Sequence, residues 1–104
     1  MTYERMTAAP MREVLRMAEE VLTERLPILR TAGDHHSITL EGGDGTVTIR
    51  VHRHGVETQV HAATDQLRTS RLDVDVQYFM TMLPYQPGDV RGAGTALPGA
   101  LSRS

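Results

Sequence analysis

Residues 46–62, Thr-Val-Thr-Ile-Arg-Val-His-Arg-His-Gly-Val-Glu-Thr-Gln-Val-His-Ala, alternate apolar and polar side chains on both sides of Gly55. A period of two is the mark of a strand with one dry face and one wet face. The glycine supplies the positive φ of a tight turn, which predicts a β-hairpin with His54-Gly55 at its tip. A third apolar-polar run, about His36 to Glu41, precedes it across Gly42-Gly-Asp-Gly45. Connections this short force antiparallel pairing, so the three runs make a meander with the second strand in the middle. Val47, Ile49 and Val51, joined by Ile38, Leu40, Val56, Val60 and Ala62, are expected to face the core. Thr48, Arg50, His52, Glu57, Gln59 and His61 are expected to face water or a polar partner.

The period changes on either side of the meander. Between about Pro10 and Leu26, the residues Met11, Val14, Leu15, Ala18, Val21, Leu22 and Leu26 recur every three or four positions, as on one stripe of a helix. Pro10 suits its first turn and Pro27 ends it. Ile28 and Leu29 extend the stripe by one apolar turn, and residues 31–34 read as a break. A second helix starts near Ser70, where Ser70-Arg-Leu-Asp73 reads as a capping box. Leu72, Val76, Phe79, Met80 and Leu83 form its stripe, and Pro84 stops it. The predicted fold is α+β in the order α-β-β-β-α, a three-stranded antiparallel meander with two helices on one face. It forms a single domain over 1–86. Residues 87–104 are rich in Gly, Pro and Ala and read as a disordered tail.

Composition narrows the chemistry. The 104 residues are 39% hydrophobic, with one Phe and no Trp, so the core is aliphatic and thin. A chain this small leaves apolar surface exposed, and self-association is one way to cover it. The net charge of −2 does not call for nucleic acid or an anionic membrane. All 11 basic residues are Arg, which suits a GC-rich bacterial genome. Without cysteine there is no disulfide framework, thiolate zinc site or cysteine nucleophile, and a reducing cytoplasm is the expected setting. No apolar run is long enough to span a membrane, and the first residues lack the apolar core of a signal peptide.

Five histidines raise the question of a metal. With His54-Gly55 as the turn, His52 falls opposite Glu57. With Gly42 to Gly45 as a four-residue loop, His35 falls opposite His52. His35, His52 and Glu57 would then form one row on the wet face, a ligand set for Zn²⁺ or Fe²⁺. The alternative is a set of solvated side chains at the frayed end of a sheet, or a His52–Glu57 pair sensitive to pH. Other patterns of catalysis are missing: no serine sits in a nucleophile elbow, and the glycine-rich Gly42–Gly45 is followed by a strand where phosphate cradling needs a helix. The expectation is a non-enzyme that binds no cofactor.

The third strand, Val56 to Ala63, has Glu57 as its only formal charge and carries no Pro. An edge this clean is usually paired or covered. Pairing through Val56, Thr58 and Val60 with a second copy would give a six-stranded sheet across a two-fold axis. Met17, Tyr78 and Met82 lie off the main helical stripes and offer a second place for two copies to meet.

The segments Gly45-Thr-Val-Thr-Ile-Arg-Val and Gly55-Val-Glu-Thr-Gln-Val, followed by Asp65-Gln-Leu and a closing helix, resemble the YbaB-type nucleoid-associated proteins. The resemblance covers about half the chain. It implies a small α-β-β-β-α dimer that binds DNA without sequence preference, with Arg12, Arg16, Arg50 and Arg53 among the phosphate contacts. The residues by themselves point first to a homodimeric, non-catalytic interaction or regulatory protein that meets a protein partner. Sequence-independent DNA binding comes second and a His/Glu metal-binding domain third.

Overall fold

The computed structural model describes residues 1–84; the tail expected at 87–104 lies outside them. Seven elements follow one another: β1 (Thr2–Thr7), α1 (Met11–Arg25), β2 (Ile28–Gly33), β3 (Ser37–Gly42), β4 (Gly45–His54), β5 (Glu57–Thr64) and α2 (Arg71–Met82). The strands form one antiparallel sheet in the order β1-β5-β4-β3-β2. The expected meander is its centre, and two further strands widen it to five. Among the described residues no helix is long and apolar enough to cross a membrane.

Both additional strands have physical causes that local periodicity hides. Leu26, the residue before Pro27, is extended at φ −134°, ψ 148°. A proline disfavours helical backbone in its predecessor, so the chain leaves α1 already in strand geometry. Ile28 and Leu29 therefore do not add the expected helical turn. Ile28 drops into the core, and the backbone pairs with β3 from Ile28↔Gly42 to Gly33↔Ile38, with a bulge between Arg30 and Ala32. Gly42 is what admits this approach: a Cβ there would lie 2.3 Å from the Pro27 carbonyl oxygen. At the other edge, β1 pairs with β5 over six residues, from Thr2↔Ala63 to Thr7↔Thr58. Its inward side chains are Tyr3, Arg5 and Thr7, none of them aliphatic, so no hydrophobic alternation marks it.

The hairpins follow the expected faces with one change of register. Thr39 pairs with Thr48 as anticipated, and their hydroxyls lie 3.1 Å apart. The β4–β5 turn sits one position later than expected, at Gly55-Val56, with Gly55 at φ 68°. His54 therefore pairs with Glu57 and His52 with Gln59. The pairing moves by two residues, an even number, so each strand keeps its inner and outer faces. Near the turn the contents change: Thr58 is buried in the place expected for Val56, and Val56 is 90% exposed.

Both helices pack on one face of the sheet around a single core. Val14, Ala18 and Leu22 of α1 and Leu72, Val76 and Phe79 of α2 meet Leu40, Val47, Ile49, Val60 and Ala62, all fully buried. Helix α1 carries the chain from the β1 edge to the β2 edge across this face. Ser70 caps α2 by accepting the Asp73 N–H, as the capping box predicts. The Asp73 carboxylate is turned inward for another purpose.

Candidate interaction surfaces

The structure does not bring the predicted metal ligands together. His35 lies in the β2–β3 turn, where it lines the groove beside α1. His52 is on the opposite, uncovered face of the sheet, and Glu57 is one cross-strand pair further along, opposite His54. Among the described residues, no group of three or more His, Cys, Asp or Glu side chains stands close enough to hold a metal ion. The row failed because the β4–β5 pairing slid by two residues and because β3 begins only at Ser37.

The expected strand-edge interface also changes. Strand β5 is not an edge: β1 covers one side and β4 the other. Thr58 and Val60 are buried inside the protomer, which leaves Val56 alone exposed at the turn. The four arginines expected to meet DNA divide between two layers. Arg12 and Arg16 are on α1, Arg50 is on the uncovered sheet face, and Arg53 Nε donates to the Gly55 carbonyl at the β4–β5 turn, 2.8 Å away. A single duplex cannot reach both sides of the sheet at once.

Two surfaces stand out instead. The first is the uncovered sheet face, where cross-strand pairing sets Glu4, His61, Arg50 and Ser37 in one row and Met6, Gln59 and His52 in the next. Glu4, His36, Arg50, His52, Gln59 and His61 line a recess of about 550 Å³. His61 Nε2 lies 3.9 Å from the Glu4 carboxylate. No described aromatic residue lies here: Tyr3 points inward, and Tyr78 and Phe79 are on α2. The face therefore suits polar protein contacts better than base stacking.

The second is the outer side of α2. Helix α2 carries two apolar stripes. Leu72, Val76, Phe79 and Met80 are spent on the core, while Val74, Tyr78 and Met82 remain 51%, 43% and 41% exposed. These three are spaced by four and so share one helix face. Arg25 stacks on the Tyr78 ring at 4.2 Å and is held by Asp75 at 2.9 Å, which gives the stripe a charged border. Met17, by contrast, packs against the core. The second stripe was visible in the sequence at Tyr78 and Met82; Val74 completes it.

Beneath α2, a carboxylate ties three elements together. Asp73 is fully buried and accepts the Tyr3 hydroxyl of β1 at 2.6 Å and the Thr64 hydroxyl of β5. The bond to Asp73 and burial hold the Tyr3 phenol above its ordinary pKa. Arg5 and Thr7 fasten the other end of the same helix, donating to the Leu83 carbonyl at 3.3 Å and the Pro84 carbonyl at 2.7 Å. A sequence scan reads Asp73 as a surface cap because it cannot see a tyrosine 70 residues away.

Two exposed aspartates set a pH dependence. The His36 and Ser37 N–H groups hold Asp34 below the ordinary 3.8, and the Thr46 N–H and the Gln66 side chain do the same for Asp65. A lowered folded pKa stabilises fully above the unfolded value and is lost as pH falls through the folded one. The urea midpoint is therefore expected to fall when the pH drops from about 6 to about 3, and Asp65→Asn to remove part of that fall. An identical fall in the variant would show that Asp65 contributes nothing.

In comparisons with known proteins, no family model, no curated protein and no solved structure matches the chain.

Proposed function

We propose that this chain is a non-catalytic homodimeric interaction protein, in which two copies join along α2 and a protein partner contacts the uncovered sheet face. The observation that carries the reading is the second apolar stripe of α2. Its members lie four residues either side of Tyr78. A two-fold axis at Tyr78 would set the tyrosines of the two copies together and bring Val74 of one to Met82 of the other. Rows spaced by four interdigitate in the commonest class of helix packing. The stripe is thus complementary to itself, as an isologous contact requires. The remaining sheet face is then free on each copy, with mixed charge and hydrogen-bonding groups suited to a polar protein surface.

Light scattering on the eluting protein at micromolar concentration tests the proposal. The chain mass is 11.5 kDa, and the dimer is expected at about twice that. Tyr78→Asp places a charge on the axis without touching the core, so a folded single-mass species is expected. A wild-type protein that elutes at the single mass, or a Tyr78→Asp variant that remains double, would overturn the α2 interface.

A further inference from the structure

A third surface has chemistry of its own and takes no part in the reading above. On the flank of α1 facing β2 and β3 lies a groove of about 560 Å³, a volume within the range of small-molecule sites. Leu15 and Ile38 form its apolar floor. Arg12 and Arg16, one turn apart on α1, and Arg30 from β2 reach it, with His35 from the β2–β3 turn.

The three guanidinium groups are not equally free. Arg16 is held by Glu13 and by Glu20, the latter at 2.8 Å. Arg30 has only Glu19, at a loose 3.6 Å. Arg12 has no hydrogen-bond or ion-pair partner among the described residues. Of the lining carboxylates, Asp34 is engaged with the His36 and Ser37 N–H groups at 2.8 and 2.9 Å, which leaves Glu19 the one nearest a guanidinium. Arg16 is spent on Glu13 and Glu20, which leaves unpartnered Arg12 and loosely held Arg30 as the two guanidinium groups open to an incoming carboxylate.

We propose that this groove binds a small organic acid, its apolar body over Leu15 and Ile38 and its carboxylate between Arg12 and Arg30. Guanidinium groups match carboxylates in a planar, two-bond geometry, and the apolar floor adds contact area that inorganic anions cannot use. Displacing Glu19 from Arg30 costs little, because exposed pairs at this distance contribute little.

Nitrogen–proton NMR spectra of the full chain, titrated with octanoate to millimolar concentration, provide the test. Saturable shifts confined to residues 12–19 and 30–38 are expected, with none from octylammonium. In the Arg12→Ala/Arg30→Ala double variant, both changes at exposed positions, the same titration should need at least about tenfold more octanoate, the equivalent of one lost charged contact. Absence of saturation, equal shifts from octylammonium, or unchanged affinity in the folded double variant would overturn the site. Equal affinity for inorganic phosphate would overturn the assignment to an organic acid. The α2 interface is tested by mass and by contacts between copies, so either result stands apart from it.

Discussion

Replacing Phe79 by alanine is expected to cost about 4 kcal/mol, the largest effect of any single truncation among the described residues. Phe79 is the largest fully buried side chain among the described residues and the only phenylalanine of the chain. It sits in the C-terminal half of α2, where the helix meets α1 and β5 around an otherwise aliphatic core. The loss combines the transfer energy of the ring with the cavity left behind, because aliphatic neighbours on a sheet collapse only in part. In a domain of this size, 1 kcal/mol shifts the melting temperature by roughly 4–8 °C, so a fall of about 15–30 °C is expected by calorimetry or circular dichroism. A fall of only a few degrees would mean that α2 is not packed as described. Phe79→Leu, which keeps most of the apolar volume, should cost much less.

The second large effect is expected at Asp73. Asp73→Ala should cost about 3 kcal/mol in urea unfolding, because it strands two half-buried hydroxyl donors and removes the link between β1, β5 and α2. Tyr3→Phe alone should cost about 1–2 kcal/mol. The pair is diagnostic: in the Asp73→Ala background, Tyr3→Phe should cost almost nothing, since its partner has gone. Additive losses would show that Tyr3 and Asp73 do not share a hydrogen bond, and with it the docking of β1 against the N-terminal end of α2 would fail.

These two residues also mark what could and could not be read before the fold was known. Phe79 lies on a helical stripe that any periodicity count finds. So do Val14, Ala18 and Leu22, and the alternation of Val47, Ile49 and Val51 placed the inner face of the sheet without error. All of these depend on neighbours within a few residues. Strand β1 does not: Met6 is its one aliphatic residue, on the outer face, and it pairs with residues 51 to 61 positions later, so nothing local announces it. Strand β2 was obscured by Ile28 and Leu29, which continue a helical stripe until Pro27 is given its full effect on Leu26. The consequence for function was direct. Missing β1 made β5 look like an open edge and made Val60 look available to a second copy. Missing the two-residue slip at Gly55-Val56 lined up His52 with Glu57 as ligands that the structure separates. The outer stripe of α2 survived, because Tyr78 and Met82 needed only the helix itself to be placed.

The proposed seam between two copies is that stripe. Isotope-filtered NOE spectra on a one-to-one mixture of carbon-labelled and unlabelled chains address it directly, since they record only contacts between copies. Cross-peaks joining Val74 methyls to the Met82 methyl, and Tyr78 ring protons to one another, are expected. Cross-peaks arising instead from the strand edges at Thr2–Thr7 or Ile28–Gly33, or none at all at concentrations where the mass is double, would contradict it.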